Sequence, residues 1–125
     1  MELKEILKDL NKVQTDNFLV NKIETLYKTE LPNDLKKIVS LNKDTIFYED
    51  KDMLRGLSFN EILNASDDLE VGFIELNLLP LFDIGDNDFI VYNFKKKCWS
   101  LFNIVDEILF RETSDLLDYL RMEEM

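Results

Sequence analysis

The side chains that most often carry out chemistry in proteins are scarce in this sequence. Its 125 residues include no histidine and one cysteine, Cys98. Catalysis by Ser-His-Asp or Cys-His groups is therefore excluded, and so are metal sites built from histidines or from several thiolates. The three glycines, at positions 56, 72 and 85, form neither of the common phosphate-binding motifs. These absences favour a protein that works by binding rather than as an enzyme.

Carboxylates are the remaining candidates for chemistry, and the densest group is Asp83, Asp86 and Asp88 in the segment DIGDND. Their oxygens suit calcium or magnesium, but the segment lacks the glycine position and the later glutamate of an EF-hand loop. Glycine, aspartate and asparagine also tolerate the positive φ of tight turns. We therefore predict a hairpin turn here, and no metal or cofactor. A hydrolase that uses two converging carboxylates stays a rival.

Charge is spread unevenly along the chain, whose net charge is -11. Residues 1–57 carry ten basic and eleven acidic side chains, whereas residues 58–125 carry five basic and fifteen acidic ones. Such an acidic half repels the phosphate backbone of nucleic acids and attracts cationic proteins. A role in solubility alone is the alternative.

Size and composition predict one globular domain spanning residues 1–125. The chain is 46% hydrophobic and includes nine Phe, four Tyr and one Trp, which is ample for a core. No apolar run reaches the roughly 18 residues of a membrane span, and the first residues mix charges unlike a secretory signal. We therefore expect a cytoplasmic protein, and the single cysteine fits a reducing compartment.

Apolar residues at helical spacing predict helices over residues 2–14, 18–28 and 31–41. Residues 15–17 offer a cap for the second helix, and Pro32 suits the first position of the third. Ser58 and Glu61 match a capping box, which predicts a further helix that begins near Phe59. Residues 66–78 are ambiguous, because the two aspartates at 67 and 68 favour a loop while the apolar residues at 73, 74, 76 and 78 suit either a helix or a strand. We interpret this segment as a connection.

Short apolar runs in the rest of the chain predict strands. Residues 45–48 and 53–57 flank a charged turn, and residues 79–84, 89–94 and 98–102 suit an antiparallel meander. The run at 89–94 is apolar almost throughout, which indicates a strand covered on both faces. Residues 108–110 suit another strand, and a final helix is expected to be capped at Thr113 or Ser114. The predicted class is α+β, with an antiparallel or mixed sheet of about five to six strands flanked by N-terminal helices and a C-terminal helix.

Several segments, taken in order, also resemble a known family. Segment 27–39, YKTELPNDLKKIV, places an aromatic residue before Leu-Pro, an acidic position and a helix, and segment 55–63, RGLSFNEIL, leads from a strand into a capped helix. Segments 79–86, 89–93 and 98–102 suit three strands with a Gly-Asp turn after the first, and 113–120 suits a closing helix. This series resembles the SUKH superfamily, the Smi/Knr-like domains that include many bacterial immunity proteins.

The resemblance implies an α+β fold without shared catalytic residues. It also implies that the protein neutralises a cognate toxin, often one that attacks nucleic acid, by direct binding. We expect a cationic toxin domain as partner, and neither nucleic acid nor a membrane. Asn87-Asp88 stand where the family has further glycines, which implies a shorter and stiffer turn. A regulatory or scaffolding module of the same fold is the rival function.

Residues of the acidic half are the candidates for partner binding. The candidate carboxylates are Asp83, Asp86, Asp88, Asp106 and Glu107. Tyr92 and Trp99 would serve as interface anchors if their rings are exposed on the sheet, and as core residues otherwise. The three lysines at 95–97 are interpreted as a solvated turn.

Overall fold

The computed structural model describes residues 7–41, 46–47, 54–116 and 118–119. Within these ranges the helices are a 3-10 helix (Leu10–Lys12), α1 (Asn17–Tyr27), α2 (Asn33–Leu41), α3 (Phe59–Leu69) and α4 (Phe73–Leu76). The strands are β1 (Ile46–Phe47), β2 (Arg55–Gly56), β3 (Leu78–Gly85), β4 (Asp88–Asn93), β5 (Cys98–Asn103) and β6 (Ile108–Thr113). The predicted α+β class is confirmed.

The six strands form one antiparallel sheet in which sequence neighbours are also spatial neighbours. The strands β3 to β5 are the predicted meander, and the further strand expected at 108–110 is β6, which is longer than those three residues. Strand β2 pairs with β1 on one side and, on the other, with residues 82–83 of β3, where Arg55 lies opposite Asp83. The charged turn expected at 49–52 lies outside the described residues.

Side-chain caps begin two of the helices as the sequence predicts. The Asp16 carboxylate accepts hydrogen bonds from the first backbone N–H groups of α1. Ser58 and Glu61 form the capping box of α3, since the Ser58 N–H donates to Glu61 Oε1 at 2.9 Å and the Glu61 N–H donates to Ser58 Oγ at 3.2 Å. Pro32 lies immediately before α2, and its carbonyl accepts the N–H of Lys36.

Two predictions, the connection at 66–78 and the helix at 2–14, differ from the structure. Residues 66–78 are largely helical rather than a connection, because α3 continues to Leu69 and keeps both Asp67 and Asp68 on its exposed face. The helix expected over 2–14 tightens into the 3-10 helix, and Val13 is already extended. A 3-10 turn commonly ends a helix in this way. Residues 2–6 of that prediction lie outside the described part.

The core fills both sides of the sheet. On one face Leu35 of α2 lies near Tyr92 and Trp99, and on the other the ring of Phe73 packs edge-on against Phe102 with centroids 5.7 Å apart. Residues 89–93 of β4 are all buried. The prediction that this central strand is covered on both faces is confirmed.

The chain turns back toward the core after β6. Thr113 Oγ1 accepts the N–H of Asp115 at 3.2 Å, as a capping residue would, and residues 118–119 are helical. Leu116 and Tyr119 are buried there. Leu117 and Leu120, which the predicted final helix also includes, lie outside the described residues.

Tyr27 ties α1 to the sheet. Its side chain is buried, and its hydroxyl donates to the carbonyl of Leu78 at 2.9 Å, at the start of β3. Burial raises the pKa of Tyr27 far above its ordinary value, and the nearby negative charge of Glu75 adds to the rise. The folded chain therefore holds this proton more tightly than the unfolded chain does.

The stability of the fold should consequently fall above about pH 10, where the unfolded chain loses this proton and the folded chain keeps it. Below that pH the contribution of Tyr27 is fully present. We expect Tyr27→Phe to lower the free energy of unfolding at neutral pH by about 1 kcal/mol and to flatten its decline between about pH 10 and 11. Urea unfolding of both proteins across this range measures the difference. Parallel declines in the two proteins would contradict the assignment.

Candidate functional site

Two hairpin turns meet at one end of the sheet and place the five predicted carboxylates at that end, with Asp83 and Asp88 on opposite faces of the sheet. Residues 86–87 join β3 to β4, and residues 104–107 join β5 to β6. The turns are bonded to each other, because the N–H of Ile104 donates to the carbonyl of Asn87 at 2.9 Å. Asn103 Nδ2 also donates to Asp88 Oδ1 at 2.9 Å. We call this region the acidic end; its carboxylates are Asp83, Asp86, Asp88, Asp106 and Glu107.

The turn between β3 and β4 is the hairpin that the segment DIGDND predicts. Asp86 and Asn87 have φ values of 55° and 66°, the left-handed pair of a two-residue type I′ turn. Gly85, with φ of 91°, adopts a conformation that strains other residues. Asp83 Oδ1 accepts the N–H of Gly85 at 2.9 Å. Asp83 and Asp88 therefore help to build the turns, while Asp86 is exposed.

The turn between β5 and β6 is built in the same way as the turn between β4 and β5. In each, an asparagine at the strand end accepts two backbone N–H bonds, Asn103 from residues 105 and 106 and Asn93 from residues 95 and 96. In each, the last turn residue is left-handed, with φ of 53° for Glu107 and 56° for Lys97. One turn carries acidic side chains and its counterpart three lysines. The turn geometry therefore does not require charge of either sign.

Arg55 extends the acidic end to α3. Its Nη1 lies 2.9 Å from Glu61 Oε1 and 2.9 Å from Oε2, and its Nη2 lies 3.6 Å from Asp83 Oδ2. A cavity of about 100 Å³ is lined by these three residues together with Asp68. Several carboxylates thus share a single arginine, which leaves the region negative. The sequence interpretation missed this cluster because it depends on the pairing of β2 with β3.

Tyr92 and Trp99 are placed away from the acidic carboxylates. Both are buried, at 8% and 7% exposure, and their rings pack edge-to-face with centroids 5.3 Å apart. They lie toward the opposite end of β4 and β5, near Lys97. Both rings are therefore core residues, which is the alternative prediction. Neither ring is exposed enough to anchor an interface.

Exposed apolar side chains lie beside the acidic end, and the sequence interpretation did not single them out. Val105, in the turn between β5 and β6, is 69% exposed. Ile108 and Leu109, the first residues of β6, are 54% and 39% exposed. An apolar centre rimmed by charges is the usual composition of a protein interface.

Cys98 carries the single thiol of the chain, and its surroundings do not activate it. Burial raises the pKa of the Cys98 thiol, and its hydrogen bond to Glu112 Oε1, at 3.6 Å, raises the pKa further. The thiol thus keeps its proton and is a weak nucleophile. Among the described residues, no group of three Cys, Asp or Glu side chains is arranged to hold a metal ion. In the same ranges, no helix has the length and apolar character needed to cross a membrane.

Comparisons with protein-family models, with curated proteins and with solved structures find no significant match for this chain. The resemblance to the SUKH superfamily therefore stays a prediction that rests on the quoted segments.

Proposed function

We propose that this chain is an immunity protein that neutralises a cationic toxin domain by direct binding through the acidic end. The observation that carries the proposal is the presence of three exposed carboxylates on two turns that are hydrogen-bonded to each other: Asp86, Asp106 and Glu107. Asp83 and Asp88 add negative charge at the adjoining strand ends. Because hydrogen bonds already hold the backbone of both turns, binding would cost little of their conformational entropy.

The charge distribution also favours a defined orientation of the encounter. The three lysines at 95–97 lie at the opposite end of the sheet from Asp86, Asp106 and Glu107. A cationic partner is drawn toward the acidic end and away from the lysines. Such steering raises association rates well above those of uncharged surfaces.

A toxin that attacks nucleic acid is a suitable partner on physical grounds. A protein that binds a phosphate backbone needs a cleft rich in Lys and Arg. The same cleft attracts a cluster of carboxylates, and a ligand seated there blocks access for the nucleic acid. The order of SUKH-like segments along the chain supports the same function.

The first test is whether a neighbouring gene encodes a secreted toxin, since its absence would favour the regulatory role. A toxin domain found there is then purified and mixed with this chain. We expect a stable complex whose association slows steeply as salt rises from about 50 mM to about 0.5 M, since ions screen the long-range attraction. Dissociation should change far less. No complex at any salt concentration would contradict the proposal, whereas a complex with a salt-independent association rate would contradict its electrostatic part.

The two matching turns provide an internal control for the role of charge. Lys97→Gly and Glu107→Gly each relieve a left-handed residue, so each should raise the free energy of unfolding by about 0.5–1 kcal/mol. Only Glu107→Gly should also slow association with the toxin domain, because only it removes a carboxylate from the acidic end. Equal association rates for the two variants would argue against the acidic end as the binding surface.

A further inference from the structure

Strand β6 is the last strand in the order of the sheet, and its first half is open to solvent. Adjacent residues of a strand point to opposite faces, and here both Ile108 and Leu109 are exposed. Among the residues that the structure describes, therefore, none covers either face of β6 at Ile108 and Leu109. Natural sheet edges are usually protected by lysine, proline, a bulge or a covering segment, since they otherwise invite another strand.

The second half of β6 has such protection. Arg111 is left-handed, with φ of 54°, and the pairing with β5 shifts register there, which marks a bulge. The hydroxyl of Tyr119 donates to the carbonyl of Arg111, so the returning chain lies against this half. Residues 108–110 have neither a bulge nor a proline or lysine. The unprotected stretch is thus confined to the part of β6 next to the acidic end.

We infer that residues 108–110 accept an extended segment of the partner as an added strand. The segment would alternate apolar and basic residues. Because side chains alternate between the two faces of a strand, its apolar side chains would pack on Ile108, on one face. Its basic side chains, on the other face, would lay their alkyl stems on Leu109 and reach toward Asp106 and Glu107. The charge of the partner rests on the proposed function, while the open edge and its exposed apolar residues do not depend on it.

Charge favours this occupant over a second copy of the chain. Each copy carries a net charge of -11, so two copies repel each other as they approach. The bulge at Arg111 also limits pairing between two β6 strands to a short stretch. A basic segment meets attraction in place of repulsion and can contact the turn as well as the strand.

The test uses the full chain and a short blocked peptide in which lysine and valine alternate. Within residues 108–110, we expect hydrogen exchange of the amides that point away from β5 to slow by at least about fivefold when the peptide is present in excess, because these N–H groups become hydrogen-bonded. A peptide of equal charge in which lysine and glycine alternate is the control. If both peptides bind with equal affinity, or if the lysine-valine peptide protects other residues instead, the inference is overturned.

A double variant, Ile108→Thr with Leu109→Thr, keeps residues that suit a strand but removes the apolar surface. We expect it to bind the lysine-valine peptide about tenfold more weakly than the parent chain, whereas Phe18→Thr, which alters an even more exposed apolar site on α1, should bind normally. A dimer of the parent chain that this double variant abolishes would overturn the inference in favour of a second copy. These measurements do not include a toxin domain. A negative result would therefore overturn this inference but not the proposed function, which the binding experiment with the toxin domain tests separately.

Discussion

Association with the proposed toxin domain is expected to slow by about 10- to 100-fold when the charge of the two turns at the acidic end is reversed by Asp86→Asn, Asp106→Lys and Glu107→Lys. The fold should tolerate these changes, because the turns are held by bonds of Asn103 and by the backbone of Asn87. Lysine suits the left-handed position of residue 107, since Lys97 occupies the same position of the matching turn. Asparagine likewise suits a type I′ turn. Stopped-flow mixing at low salt measures the rate.

The control for this variant changes net charge at the other end of the molecule. Glu30→Lys and Glu75→Lys alter exposed residues that lie outside the acidic end. If charge acts through a local surface, this control should slow association only a few-fold. Equal slowing in both variants would show that overall charge, and not the acidic end, governs the encounter.

Phe73→Ala should cause the largest loss of stability of the substitutions considered, about 3–5 kcal/mol. The side chain has no exposed surface and packs edge-on against Phe102. Helix α4 is only four residues long, too short to be stable without such an anchor. Since a domain of this size is stable by only about 5–15 kcal/mol, urea unfolding should show a large shift of the midpoint.

Leu76→Ala is the matched control, because it lies in the same helix but is 45% exposed. It should change the free energy of unfolding by less than about 1 kcal/mol. Similar losses for Phe73→Ala and Leu76→Ala would mean that Phe73 does not anchor α4.

Much of the acidic end can be predicted from the sequence, because residue preferences for turns and strands determine its two hairpins. Asp, Asn and Gly in the segment DIGDND suit a hairpin turn, and the following apolar runs suit antiparallel strands. In a meander every second turn lies at the same end of the sheet. Asp86 and Glu107 therefore come together although they are far apart in the chain.

Features that depend on tertiary contacts could not be predicted in the same way. The ion pairs of Arg55 with Glu61 and Asp83 require the register between β2 and β3, which no local pattern specifies. The exposure of Ile108 and Leu109 depends on how far the helices extend over the sheet. Asp67 and Asp68 favour a loop by composition. The helix nevertheless continues through them, because Ala65 and Leu69 pack on the core on either side.

The most direct test of the proposed function is a growth-rescue assay. Cells would produce the toxin domain encoded beside this gene, together with this chain, with the charge-reversed variant, or with neither. We predict that this chain restores growth and that the charge-reversed variant, present at the same level, restores it much less. Continued growth arrest in cells that contain the folded, unaltered chain at or above the level of the toxin would contradict the account.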